Sequence, residues 1–280
     1  MEEEVYYCMG IDEAGRGPVL GPMVYGCAYC PLAIKNQIKE RGYDDSKVLT
    51  EMQRESLFAS IHNSADVGWS VIVLSPEELS QKMQRRSKYN LNEISHDTAA
   101  DLIRATLNKG IKLKEIYVDT VGTPQKYQWK LSAQFPGIDI TVSKKADSLF
   151  PIVSAASICA KVIRDKYLEA WKFKETGVAF SRNFGSGYPA DPFTVKWLDN
   201  HLEPVFGYPS LIRFSWRTCS KLLEDRAIKV TWEGDEEEEE NSEQADPTQT
   251  KLVARTKSMP RPRFRYFTER NMSLVDATDF

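Results

Sequence analysis

Apolar and polar positions along this chain fall into two periods. Residues 5–11 form a β-branched and aromatic run that stops at Asp12. A glycine and proline cluster at 15–22 then predicts a turn into a second apolar run at 23–30, so the pair reads as a hairpin opening a sheet. Thr50 is placed to cap a helix reaching Asn63, and residues 69–74 make a third strand. Ser95 is the expected cap of a helix in which Ala99, Leu102, Ile103 and Leu107 recur at helical spacing and Gly110 closes the last turn. A strand at 115–118 stops at Asp119. Another alternates over 138–142, and Asp147 follows it, just before a long helix over 151–172 with proline in its first turn. Residues 180–192 are rich in glycine, proline and aromatics, and helical spacing returns at 193–201 and 216–227. Alternation of helix and strand predicts an α/β fold whose compact part ends by Trp232.

Composition narrows the class. A chain of 280 residues with 41% hydrophobic and 28% charged residues is an ordinary globular protein, with one main domain and an appendage expected. The formal charge of -3 is unevenly spread: residues 233–246 hold nine acidic and no basic residues, and 247–280 hold seven basic and three acidic. The body is therefore left near +2, enough to meet a polyanion locally. Residues 233–258 suit a disordered acidic linker, and 259–280 a basic aromatic tail in which Arg261, Arg263, Phe264, Arg265, Tyr266 and Phe267 could anchor on a partner. Neither a signal peptide nor a membrane-spanning run is predicted. Five cysteines in apolar or helical contexts argue against a disulfide framework and for a reducing, intracellular setting.

The candidate chemistry lies in the acids. Ligands in open α/β sheets bind beyond the carboxyl ends of strands, where Asp12, Glu13 and Asp119 are expected to converge. Carboxylates so gathered repel one another unless cations neutralise them, and all-oxygen ligation suits Mg²⁺ or Mn²⁺ rather than zinc. Two such ions about 4 Å apart can activate a water and stabilise a leaving oxygen, which is phosphodiester chemistry. From position alone, an acid at a strand end more often caps a helix or faces solvent. Neighbours on an extended strand also point to opposite faces, so Asp12 and Glu13 are expected to share a site only if the strand bends, as Gly15 and Gly17 would permit.

Longer motifs sharpen this. Gly10-Ile11-Asp12-Glu13-Ala14-Gly15-Arg16-Gly17-Pro18 resembles the signature of type 2 ribonucleases H, and Asp45-Ser46-Lys47 resembles their second block. Val118-Asp119-Thr120-Val121-Gly122, Lys145-Ala146-Asp147-Ser148, residues 154–161 and Gly185-Ser186-Gly187-Tyr188-Pro189 follow in the family's order. The resemblance spans residues 5–232, and residues 204–218 are similar to the eukaryotic catalytic subunits. It implies a ribonuclease H-like mixed sheet flanked by helices with a helical C-terminal extension, filling residues 1–232. The implied activity is cleavage of RNA in RNA/DNA hybrids and on the 5′ side of single ribonucleotides in duplex DNA, by two metal ions, leaving 3′-hydroxyl and 5′-phosphate ends.

The resemblance also implies roles. Asp12, Glu13, Asp119 and Asp147 would hold Mg²⁺ or Mn²⁺; Gly15, Arg16 and Gly17 would sense the 2′ hydroxyl, the group that separates RNA from DNA. Tyr188 would pack at the junction of ribonucleotide and deoxynucleotide, and Lys47 would sit beside the scissile phosphate. Accessory B and C subunits of a heterotrimer and a nuclear location are likewise implied, the tail being either a docking segment or an import signal. The competing reading is a noncatalytic nucleic-acid-binding scaffold of the same fold. A structure-specific DNA nuclease or integrase is a further alternative, against which the glycine loop and Tyr188 discriminate.

Other signals carry less. Cys27 and Cys30 have the spacing of half a zinc site, but no second pair completes it. His96 in a first helical turn is more often a surface or capping group than a base. Ser154, Ser157 and Cys159 suit close helix packing. Lys144, Lys145, Lys161, Arg164 and Lys166 fit either phosphate contacts or a solvated face.

Overall fold

The computed structural model describes residues 4–43, 49–85, 87 and 89–228. Lys47, the acidic linker and the basic aromatic tail lie outside them. At the centre is a five-stranded sheet in the order β3-β2-β1-β4-β5, built from β1 (Tyr7–Ala14), β2 (Met23–Pro31), β3 (Gly68–Leu74), β4 (Leu113–Asp119) and β5 (Asp139–Ser143). The first three strands are antiparallel neighbours, whereas β1 with β4 and β4 with β5 run parallel. Helices cover both faces, which is why β2 reads as an almost unbroken apolar run rather than an alternating one.

Met9, Ile11, Met23 and Tyr25 project to one face, onto α3 (Leu91–Asn108) and α4 (Pro124–Gln134). Cys8, Ala28 and Cys30 project to the other, onto α6 (Pro151–Glu169) and α1 (Glu51–His62). Contact with α6 is close enough to require glycine: a Cβ on Gly10 would fall 2.4 Å from the Ile152 carbonyl carbon, and one on Gly26 would fall 2.6 Å from the Ala156 oxygen. Cys27 and Cys30 thus lie on opposite faces of β2, and all five cysteines are buried and free, so the zinc spacing is packing. Beyond α6, α7 (Pro192–Asn200) and α8 (Arg217–Arg226) gather Val19, Leu20, Trp197, Leu198, Leu211 and Ile212 into a separate cluster. This is the predicted helical extension.

Several boundaries differ from expectation. β1 does not stop at Asp12: its pairing with β2 continues regularly through Asp12↔Gly26, Glu13↔Tyr25 and Ala14↔Val24, so no bend separates the two acids. Asn90, not Ser95, caps α3, its side chain accepting from the backbone N–H groups of Asn92 and Glu93; Ser95 is buried a turn later and donates to the Leu91 carbonyl. Asp147 belongs to a one-turn helix, α5 (Ala146–Leu149), entered through Lys145 in the left-handed region at φ 54°. Periodicity also passed over α2 (Pro76–Met83) and α4, whose helical patterns are short. The caps of α1 (Thr50 with Gln53) and the strand at 69–74 stand as expected. Among the described residues no helix is long and apolar enough to cross a membrane.

Candidate active site

A cavity of about 640 Å³ opens at the carboxyl ends of β1 and β4, and Asp12, Glu13, Gly15, Arg16, Gly17, Asp119 and Tyr188 all line it. The straight strand resolves how Asp12 and Glu13 reach one site. They leave opposite faces of β1 and meet the cavity from two sides, at the point where the sheet ends. Asp12 points toward α6, where Ser157 hydrogen-bonds it; its Oδ1 also accepts from the Glu13 N–H at 2.7 Å. Burial, and then the negative charges of Glu13 and Asp119, push the Asp12 carboxyl well above the usual carboxylate range. Ser157 therefore serves the site as well as the helix packing expected of it.

Glu13 projects to the α3 side, where Tyr25 and Tyr127 are buried. Burial, then the charge of Glu13, pushes both phenols well above their ordinary range. Asp119 Oδ1 accepts from the Ala146 N–H at 2.8 Å, which ties the α5 turn to the end of β4. Asp147 is buried one residue further on, its Oδ1 taking the Ser148 N–H at 3.0 Å and its carbonyl the Ser154 hydroxyl. It stands behind the cavity wall rather than lining it.

The acids fit a hard divalent cation by charge and donor type: a buried carboxyl facing two others retains its proton unless a positive charge is supplied. Among the described residues, no three His, Cys, Asp or Glu side chains stand close enough together to hold a metal ion as they are. Bringing them together takes side-chain rotation, and Glu13, half-buried at the cavity edge, has room for it.

The loop after β1 is held from three directions. Gly15 adopts φ 79°, and a Cβ there would meet Arg164 Nε at 2.1 Å, so only glycine fits. The Arg16 guanidinium donates to Ser95 Oγ and Asn92 Oδ1, both at 2.6 Å, which anchors the loop on the start of α3. Arg213, wholly buried, donates to the carbonyls of Gly15 at 2.6 Å, Arg16 at 3.2 Å and Gly21 at 2.8 Å. Its guanidinium lies 4.7 Å from the ring centre of Trp216, whose Nε1–H donates to the Gly17 carbonyl at 3.2 Å. Burial, with the like charge of Arg164, lowers the Arg213 pKa to about 9, which still leaves it protonated at neutral pH. Sequence reasoning missed Arg213: an arginine within Leu211-Ile212-Arg213-Phe214 carries no motif signal, and only its contacts, some 190 residues upstream, reveal it.

Tyr188 is 52% exposed, and a Cβ on Gly17 would fall 2.8 Å from its ring. The glycine and the tyrosine therefore form one surface. Lys161, Arg164 and Arg54 supply positive charge along the same cavity; Arg164 is buried and donates to the Pro22 carbonyl, so it is not a solvated helix residue. His96 stacks on Tyr127 at 3.8 Å, and a ring nitrogen approaches the Val121 carbonyl, on the far side of α3 from the cavity-facing residues.

Comparison with known proteins agrees with this geometry. The family model described as Ribonuclease HII matches residues 9–219. The chain is 54% identical over 244 residues to the A subunit of ribonuclease H2 from Arabidopsis thaliana, covering 87% of this chain and 82% of that protein. Against the Homo sapiens protein of the same name it is 48% identical over 264 residues, covering 94% and 88%. Among solved structures, ribonuclease H2 from Pyrococcus horikoshii aligns with a TM-score of 0.64 and 33% identity, over 78% of this chain and 98% of that one. Bst-RNase HIII in complex with Mn²⁺ shares the fold, with a TM-score of 0.61 at 20% identity over 79% and 70%.

Proposed function

This chain belongs to the ribonuclease HII family and is a ribonuclease H, a nuclease acting on RNA paired with DNA, and we propose that it cuts both the RNA strand of hybrids and the 5′ side of single ribonucleotides embedded in duplex DNA. The products of that cleavage are a 3′ hydroxyl and a 5′ phosphate. The observation that carries this reading is the contact between Gly17 and Tyr188 beside the carboxylates. A glycine loop lets backbone groups approach a sugar closely, and a half-exposed ring next to it offers a flat surface to the following deoxyribose.

Each residue then has a task. Carbonyls of Gly15, Arg16 and Gly17 already accept from Arg213 and Trp216, so the loop's N–H groups are the natural donors to a 2′ hydroxyl. Arg16 fixes the loop through its side chain on α3. Tyr188 lays its ring on the sugar lacking a 2′ hydroxyl and turns its own hydroxyl to the ribose. Lys161, Arg164 and Arg54 hold flanking phosphates, and Lys47 stands beside the scissile one. Asp12, Glu13, Asp119 and Asp147 hold two divalent ions, Mg²⁺ or Mn²⁺, which would supply the charge that activates water and stabilises the leaving 3′ oxygen.

The names of the relatives support a further step: this chain works as the A subunit of a heterotrimer with accessory B and C subunits, in the nucleus, with residues 259–280 as a docking segment. The decisive experiment is Mg²⁺-dependent cleavage of a DNA duplex carrying one ribonucleotide, with the chain assayed alone and with its accessory partners. A single cut 5′ to the ribonucleotide is expected; none under either condition would overturn the reading. Asp119→Asn is expected to abolish cleavage while duplex binding persists, and full activity in that variant would refute the metal assignment and favour a scaffold.

A further inference from the structure

Glu13 leaves β1 on the face away from Asp12 and α6, so its orientation depends on other groups. Its cross-strand partner is Tyr25, which projects to the same face at the short range of directly opposed strand residues. Tyr127 enters the same cluster from α4. Both tyrosines are buried, and neither hydroxyl makes a hydrogen bond of good geometry. Glu13 Oε2 is shut off from solvent, yet Glu13 also lines the catalytic cavity, so its carboxylate spans from the interior to the site. Both phenols lie near enough to feel its charge.

Around them the packing is fixed. The His96 ring lies flat on Tyr127, and Ser95, against which Tyr25 lies, also receives Arg16 of the glycine loop. A buried hydroxyl without a partner destabilises a fold, and phenylalanine would fill the same space without that cost. Two such hydroxyls beside one carboxylate are therefore not accounted for by packing.

We infer that Tyr25 and Tyr127 are positioning residues for Glu13: their hydroxyls donate to its inner oxygen and so aim the outer oxygen into the cavity. The inference rests on the proposed role of Glu13 as a ligand for a divalent cation. Groups that orient a ligating carboxylate typically change metal affinity or activity by roughly 10- to 100-fold when removed.

The test uses Tyr25→Phe and Tyr127→Phe in the full chain, assembled with its accessory partners. Mn²⁺ binding is measured by water-proton relaxation, cleavage by kcat and KM, and folding by the thermal midpoint. Each variant is expected to weaken Mn²⁺ binding and lower kcat, each by about tenfold or more, with KM for the duplex unchanged and a midpoint equal to or above that of the parent. Tyr208→Phe is the control, because it removes an equally unpartnered hydroxyl from a buried tyrosine in the C-terminal cluster, which does not line the cavity; it is expected to leave Mn²⁺ binding and kcat alone.

Unchanged Mn²⁺ binding in both variants, or an equal change in Tyr208→Phe, overturns the inference. So does a fall in midpoint with no change in metal affinity, which marks a purely structural role. If the parent binds Mn²⁺ but cuts no ribonucleotide-containing substrate, the functional reading fails while the binding comparison still judges the tyrosines. A parent that binds no Mn²⁺ overturns both.

Discussion

Gly15 and Gly17 flank Arg16, yet the fold needs their missing side chains for different reasons. Gly15 combines φ 79° with a would-be clash against Arg164 and the Pro22 carbonyl, neither of which can give way. Gly15→Ala is therefore expected to lower stability by about 1–3 kcal/mol, read by urea unfolding, and to reduce cleavage with it. Gly17 has an ordinary φ and meets only the half-exposed Tyr188 ring, which can swing into solvent. Gly17→Ala is expected to unfold within ~0.5 kcal/mol of the parent while cutting several-fold more slowly at an embedded ribonucleotide. Equal destabilisation by the two substitutions would show that Gly17 is a structural glycine. The motif made both positions legible, but the division of labour between them was not, because it depends on what a Cβ would touch.

At the scale of elements, the sequence revealed the strands that alternate or run apolar and misplaced the one that matters most. Residues 5–11 looked like a complete strand because apolar periodicity ends at Asp12, but β2 supplies pairing partners as far as Ala14. Acids at the end of a sheet break the apolar pattern without breaking the ladder. α2 and α4 escaped notice for a related reason: α4 buries only Tyr127 and Leu131 and exposes Trp129, so it has little amphipathic signature. The packing of α6 on the sheet depends on Gly10 and Gly26, which a strand pattern treats as weak points. Gly10→Ala forces a methyl against the Ile152 backbone, and the helix must retreat, carrying Ser157 away from Asp12. We expect about 1–3 kcal/mol of destabilisation by denaturant unfolding, together with slower cleavage. Parent-like stability would mean that α6 does not approach β1 as closely as described.

Across the whole molecule, the C-terminal cluster and the catalytic loop are joined through one buried cation. Arg213 has three carbonyl oxygens as its acceptors, and these come from the loop that reads the ribose. Its positive charge is tolerated because those carbonyl dipoles and the Trp216 ring replace water, which burial alone would not permit. Nothing in the local sequence foretold this, since the partners lie on opposite ends of the fold. Arg213→Gln removes the charge and leaves carbonyls unpaired, so a loss of ~3 kcal/mol or more is expected. Arg213→Lys separates folding from function: it keeps the charge and most of the packing, but a single ammonium cannot reproduce the fork that spans Gly15, Arg16 and Gly21. That variant is expected to fold, to bind duplex as the parent does, and to lose roughly tenfold in kcat/KM at a single ribonucleotide, about 1.4 kcal/mol of transition-state stabilisation. Long hybrids, which present a 2′ hydroxyl at every position, should lose less. If Arg213→Lys cuts both substrates at parental rates, the clamp from the C-terminal cluster has no part in reading the ribose.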